Sequence, residues 1–375
     1  MKMNENLREY ALPEIEHLQV HGRTTGRLSP LVLFWTGSGI ELKVTGSELW
    51  IEVEVDYEHY EPWVSILVNG AAVSRQMLSA GRYWLCVFRG MSVAATKQIR
   101  VVRDVQAMSA DPSCSLQIHA VKCDGQFQPV EEKPYKIEFI GDSITSGEGA
   151  IGAKEELDWT PMLFSAVHNY AALTAEALHA ECRILSQSGW GVLTSWDNNP
   201  HGNLPDYYEQ VCGLLTGEKN QKLGAFDAHD FTSWQPEVLV VNLGTNDGGA
   251  FHSPPWQDPA TGETHKQRLL DDGSYHEEDL QAFEDAVVQF LRKLRMCNPQ
   301  ARIVWAYGML GIPMMPAIHR AVDTYIQQTG DRSVSVFQLP DTTEETIGAR
   351  THPGRLAHER AAHDLSNYIR KLLEE

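Results

Sequence analysis

Ile137-Glu138-Phe139-Ile140-Gly141-Asp142-Ser143-Ile144-Thr145 is the stretch whose reading decides the fold. Its first half is the short apolar run of a strand buried on both faces. Its second half, Gly-Asp-Ser, ends that run, because a Gly lets the backbone turn where a Cβ would clash. Ser143 then stands at the carboxyl end of a sheet strand, the edge at which open α/β sheets bind their ligands. That makes Ser143 the candidate nucleophile. Taken alone, Gly-Asp-Ser is also an ordinary turn, so the weight falls on what flanks it.

Downstream, strands alternate with helices. Strands are expected over 136–140, 182–186, 237–243, 301–307 and 333–338. Helices are expected over about 160–180, 203–216, 276–297, 315–329 and 353–374. Such alternation implies right-handed crossovers and a five-stranded parallel sheet covered on both faces. Glu277, Glu278 and Asp279 suit a helix start, Gly330 a helix end, and Pro353 a first turn. The stretch 248–274, rich in Pro and Gly around Trp256, shows no period and is expected to hang over the strand ends as a structureless loop.

Upstream the texture is all-β. Leu49, Ile51, Val53 and Val55 alternate with Trp50, Glu52 and Glu54, a clean period of two. Val64–Val68 runs into Asn69-Gly70, a strong hairpin signal. Runs at 31–35, 40–45, 83–88, 97–103 and 115–122 complete seven or eight short strands, the pattern of a β-sandwich or jelly roll. The expected organisation is therefore a β-sandwich domain over 1–125, a Pro-containing linker over 126–135, and an α/β domain over 136–375.

With 31 basic and 50 acidic residues, the net charge of −19 disfavours nucleic acid and anionic membranes as partners, since both require clustered Lys and Arg. A small neutral or cationic ligand fits better. The first residues contain no apolar run resembling a secretory leader, and no stretch is long enough to span a bilayer, so a cytoplasmic protein is expected. The six cysteines, Cys86, Cys114, Cys123, Cys182, Cys212 and Cys297, show no Cys-x-x-Cys pair and read as reduced thiols, with a Cys114–Cys123 disulfide the less favoured alternative. The histidines form no metal-ligating spacing, and neither a metal nor another cofactor is expected.

Three further stretches join Ser143. Gly189 follows the second parallel strand in Ser186-Gln187-Ser188-Gly189-Trp190, Asn246 follows the third in Gly244-Thr245-Asn246-Asp247, and His352 precedes the last helix in Thr351-His352-Pro353. In a parallel sheet they converge on one edge. Acyl transfer needs these types: a Ser activated by a His near neutral pH, and preorganised N–H donors for the tetrahedral oxyanion. His352 is the expected base. The backbone N–H groups of Ser143 and Gly189, with the Asn246 amide, are the expected oxyanion donors.

The four blocks, in this order, resemble those of the SGNH (GDSL-type) hydrolase superfamily over roughly residues 135–375. With the β-rich first third, and with Phe34-Trp35-Thr36-Gly37-Ser38-Gly39, the chain is most similar to carbohydrate esterase family 2, a jelly-roll domain joined to an SGNH domain. The resemblance implies a serine esterase removing acetyl groups from xylan-type saccharides through an acetyl-serine. Without a leader, the implied substrate is an imported acetylated oligosaccharide or small sugar. A lipase- or thioesterase-like activity, and a non-catalytic carbohydrate-binding protein, are the alternatives. The sequence leaves the oligomeric state open.

One position departs from the superfamily. An Asp three residues before the His is usual there; here the residue is Ala349. Asp341, Glu344 and Glu345 lie upstream, but we expect a Ser143–His352 pair oriented by a main-chain carbonyl, an arrangement that the resembling family includes. His358 and His363 are expected on the helix surface. Trp190 and Trp256, and with them Trp196, are candidates for stacking on a sugar face or for loop packing.

Overall fold

The computed structural model describes Met3 and residues 5–374; the start of the N-terminal stretch read for a leader lies outside them. Two compact units emerge. The first holds the residues through Lys133 together with Thr160–Val167 and Gln210–His229, and the second holds Pro134–Trp159, His168–Glu209 and the chain from Asp230 onward.

The first unit is jelly-roll-like, with two antiparallel sheets. One runs Arg8–Ala11, Ser115–Cys123, Glu48–Asp56, Gly81–Arg89, and the other runs Phe127–Gln128, Gly39–Val44, Lys97–Arg103, Trp63–Val68, Ala71–Met77. The alternation read in Leu49, Ile51, Val53 and Val55 is the buried face: all four are at most 2% exposed. Asn69 and Gly70 both adopt positive φ, +52° and +83°, as the primed two-residue hairpin turn demands. Late segments complete this unit. The Trp35 indole N–H donates to the Val211 carbonyl at 2.7 Å. Buried Asp104 pairs with Arg75 and accepts the Ala166 N–H at 2.8 Å.

In the second unit five parallel strands, β1 (Tyr135–Gly141), β2 (Ala180–Ser186), β3 (Val238–Asn242), β4 (Arg302–Gly308) and β5 (Val334–Leu339), lie in the order β2-β1-β3-β4-β5. Helices pair off on its faces. Tyr170–Ala177 packs with Arg355–Glu374 over Phe139, Val240 and Val304, while Glu277–Cys297, paired with Met315–Thr329, sets Phe290 edge-on against Trp305. Gly141 pairs with both Ser186 and Asn242, so the carboxyl ends of the three central strands are level. Ser143 begins where that level ends.

Three expectations are corrected here. The segment 203–216 forms no α-helix, only a short 3-10 turn at Pro205–Tyr207; Gly213 lies within it, and the helix falls at Gly217–Leu223. The helix expected over 160–180 is reduced to Tyr170–Ala177, N-capped by Asn169, whose Oδ1 accepts the Ala172 N–H at 2.8 Å. The stretch 248–274 is not structureless. It carries the hairpin Trp256–Gln257/Thr264–His265, and Lys266 Nζ ties it down by donating to the carbonyls of Phe251 and Ser253 at 2.7 and 2.6 Å. Among the described residues, no helix is long and apolar enough to cross a membrane. All six cysteines are free thiols.

Candidate active site

The turn after β1 is built by Gly141 and Asp142. A Cβ on Gly141 would collide with Thr145 Oγ1 and stand 2.9 Å from the Asn242 carbonyl oxygen, so only Gly fits between the strand end and the next chain. Asp142 caps the short helix Ser143–Ser146 by accepting the Ile144 N–H at 3.0 Å. Ser143 thereby becomes its first residue, with its hydroxyl directed to the loop that precedes Arg355–Glu374. There His352 Nε2 stands 2.9 Å from Ser143 Oγ.

The other ring nitrogen, Nδ1, lies 2.7 Å from the Arg350 carbonyl oxygen. A carbonyl only accepts, so Nδ1 carries the hydrogen and Nε2 is left to accept the Ser143 O–H. The backbone is bent for this purpose. Arg350 and Thr351 both adopt left-handed φ, +61° and +54°, and the Arg350 N–H donates to the Glu156 carbonyl at 2.7 Å. Asp341, Glu344 and Glu345 are exposed, and Asp341 accepts the Gly311 N–H at 2.9 Å. None of the three lines the cavity.

That cavity, about 340 Å³, is lined by Ser143, Glu148, Trp159, Ser188, Gly189, Trp196, Asn246, Arg350 and His352. Its size is that of a small-molecule site. Gly189 has φ +80°, a conformation open to Gly at no steric cost. Asn246 Nδ2 donates to the Trp190 carbonyl at 2.9 Å and to Asp142 Oδ2 at 3.2 Å. Buried Asp247 takes the N–H groups of Val192, Leu193 and Thr194 at 3.0, 2.8 and 3.1 Å, locking the Gly189 loop to the Asn246 block. The structure therefore brings Ser143, Gly189, Asn246 and His352 together from four separate elements. Trp190 and Trp256 are not among the lining residues: Trp190 packs on Tyr207, and Trp256 on His201 and His265. Trp159 and Trp196 hold the aromatic places instead.

Sequence reasoning missed Trp159, Glu148 and Arg350. Glu148 had a signal, as the sole charged residue between Asp142 and Lys154. His358 is also corrected. It is buried, not on the surface, and its Nδ1 accepts the Tyr170 N–H at 3.1 Å, satisfying a first-turn donor of the facing helix. Burial pushes its pKa down to about 3. His358 shares a stripe with Ala361, Ala362 and Leu365, which explains its depth. His363 is exposed, as expected. Among the described residues, no three His, Cys, Asp or Glu side chains form a metal-ion set.

Burial raises the Asp142 carboxyl to about 7, with Asp247 and Glu148 adding repulsion. A raised carboxyl contributes stability below its unfolded value of 3.8, and that contribution is lost as pH climbs through about 7. Asp142→Asn cannot ionise. Whatever constant offset its amide introduces toward Asn246, its stability relative to wild type is expected to rise by on the order of 2 kcal/mol between pH 5 and pH 8. Thermal or urea unfolding across that range checks this; a flat or falling difference contradicts it.

The GDSL-like lipase/acylhydrolase family matches residues 139–360. In structure the chain is similar to an acetyl xylan esterase, Est2A, from the rumen bacterium Butyrivibrio proteoclasticus, with 45% identity, 98% of this chain and 99% of that one covered, and a TM-score of 0.97. An acetylxylan esterase/glucomannan deacetylase of Cellvibrio japonicus is 25% identical across 96% of this chain and 89% of its own length. Cellulase/esterase CelE of Acetivibrio thermocellus is 24% identical over 90% of this chain, which spans 37% of the length of that protein.

Proposed function

We propose that this chain, which belongs to the GDSL-like lipase/acylhydrolase family, is a serine esterase that removes acetyl groups from acetylated sugars or oligosaccharides. The observation that carries the reading is the 2.9 Å contact between Ser143 Oγ and His352 Nε2 on the wall of a small cavity. Ser143 Oγ attacks the acetyl carbonyl while His352 Nε2 takes its proton. The oxyanion falls to the backbone N–H groups of Ser143 and Gly189 and to Asn246 Nδ2. Of the two hydrogen bonds made by that amide, the 3.2 Å one to Asp142 is the weaker, and it is the one an oxyanion replaces. His352 then protonates the departing sugar alkoxide, and water hydrolyses the acetyl-enzyme through the same base.

The acetyl saccharide as substrate is supported by the names of the relatives and by a cavity walled by Trp159 and Trp196. The cytoplasm as its place of work is supported by the six free cysteines, a state that a reducing compartment maintains. In that setting the substrate is an imported acetylated oligosaccharide or small acetylated sugar. Hydrolysis of 4-nitrophenyl acetate, butyrate and octanoate, followed by acetylated xylo- and mannooligosaccharides, is the test. Acetyl is expected to lead in kcat/KM by at least about tenfold over octanoate. A preference for octanoate supports a lipase-like enzyme instead, and no turnover of any ester supports a carbohydrate-binding protein.

A further inference from the structure

Among the described residues, Glu148 is the sole carboxylate lining the cavity, and the reaction above gives it no part. Its position is tied to the nucleophile, since its backbone N–H donates to the Ser143 carbonyl at 3.0 Å. The residue is 2% exposed. Burying a carboxylate is costly without partners, and Glu148 has two: Oε2 accepts the Ser188 O–H at 2.7 Å, and Oε1 accepts Arg350 Nε–H at 3.2 Å. The same Oε1 lies 3.9 Å from His352 Nε2.

This distance matters because of what His352 lacks. In a triad, the acid has two tasks: it selects the tautomer, and it stabilises the imidazolium that forms when the proton arrives. Here the Arg350 carbonyl performs the first, but as a neutral group it leaves the second largely undone. The proton arrives on Nε2, during attack and again during deacylation. Of the groups lining the cavity, Glu148 alone offers a carboxylate to it. At 3.9 Å, opposite charge favours the charged ring.

Resting on the serine-esterase reading, we propose that Glu148 is a positioning residue that stabilises the His352 imidazolium through space from the Ser143 side of the ring. The two tasks of the missing acid are thereby divided, with Arg350 at the centre of both. Its carbonyl selects the tautomer, and its guanidinium holds Glu148 in place while tempering its charge. Glu148 itself neither bonds to the ring nor takes the proton.

The experiment compares wild type, Glu148→Gln, Glu148→Asp and Ser143→Ala with 4-nitrophenyl acetate and an acetylated xylooligosaccharide, after thermal unfolding has shown each variant folded. Glu148→Gln keeps shape and removes charge. It is expected to lower kcat about 10- to 100-fold, as an opposite charge at this range does, with KM within about twofold, since Glu148 acts on charge that develops only as the proton is transferred. Glu148→Asp keeps the charge and is expected to recover at least half of that loss on a logarithmic scale. Unchanged kcat in Glu148→Gln overturns the proposal. So does a raised KM at constant kcat, which marks a group that holds substrate, and so do equal losses in Gln and Asp, which mark packing. Failure of the esterase reading looks different: wild type fails to turn over either ester, or Ser143→Ala matches it.

Discussion

Ser143→Ala is expected to lower kcat by about 10⁴- to 10⁶-fold, with folding intact, and a serine-directed phosphonate is expected to label the wild-type chain at Ser143 alone. Removing the nucleophile from a unit of this type costs about as much as removing the whole unit, and the residue left over reflects the oxyanion donors and binding. The fold should survive because the hydroxyl is not what holds the turn. Gly141 packing and the Asp142 cap do that, and both remain in the variant. The hydroxyl of Ser143 meets His352, whereas that of Ser146 donates to Ser186 Oγ at 2.9 Å in the buried interior. Mass spectrometry of the labelled peptide together with steady-state kinetics decides the matter. Label on Ser146 or Ser188, or activity within tenfold of wild type, removes Ser143 from its role.

His352→Ala is expected to be nearly as inactive, by about 10⁴-fold or more, while Asp341→Ala, Glu344→Ala and Glu345→Ala each stay within about tenfold of wild type. The asymmetry follows from what faces Nδ1. The Arg350 carbonyl stands 2.7 Å away, and the upstream carboxylates point into solvent or onto the Gly311 N–H. A backbone acceptor cannot be deleted by truncating a side chain, so no carboxylate scan over 341–345 should find the triad signature. Should one of those variants fall about ten-thousandfold, as loss of a triad Asp can, that residue is the missing acid and the carbonyl is a bystander.

The legible parts of this chain were those where a single residue type is chemically obligatory. Gly141 at a closed turn, Asn69-Gly70 at a primed hairpin, and Gly330 after Met315–Thr329 each meet a backbone demand that few residues can satisfy. The similarity to carbohydrate esterase family 2, read from the four blocks together with the β-rich first third and Phe34–Gly39, is matched in structure over 98% of the chain. The illegible parts depended on what another segment brings near. Arg350 serves His352 through its carbonyl, a group that every residue possesses, so its side chain carried no hint. His358 is polar by type but apolar by position, because Tyr170 offers it an N–H. Trp159 and Trp256 look alike in sequence, and loop packing alone decides that the first reaches the cavity.

The sharing of the first unit among three stretches of chain sets a schedule for biosynthesis. All its strands have been made by Gln128, yet Thr160–Val167 and Gln210–His229, with the later backbone partners of Trp35, Arg75 and Asp104, are still unmade. At about 5–20 residues per second, on the order of 5–20 s separate the last strand from the last of those segments. During that interval the strands exist without the Ala166 N–H that Asp104 accepts and without the Val211 carbonyl that takes the Trp35 indole N–H. Ser143 waits longer for its hydrogen-bond partner, because His352 lies 209 residues downstream, roughly 10–40 s of further elongation. The Ser143–His352 pair on which the proposed esterase depends thus cannot form until His352 itself has been made.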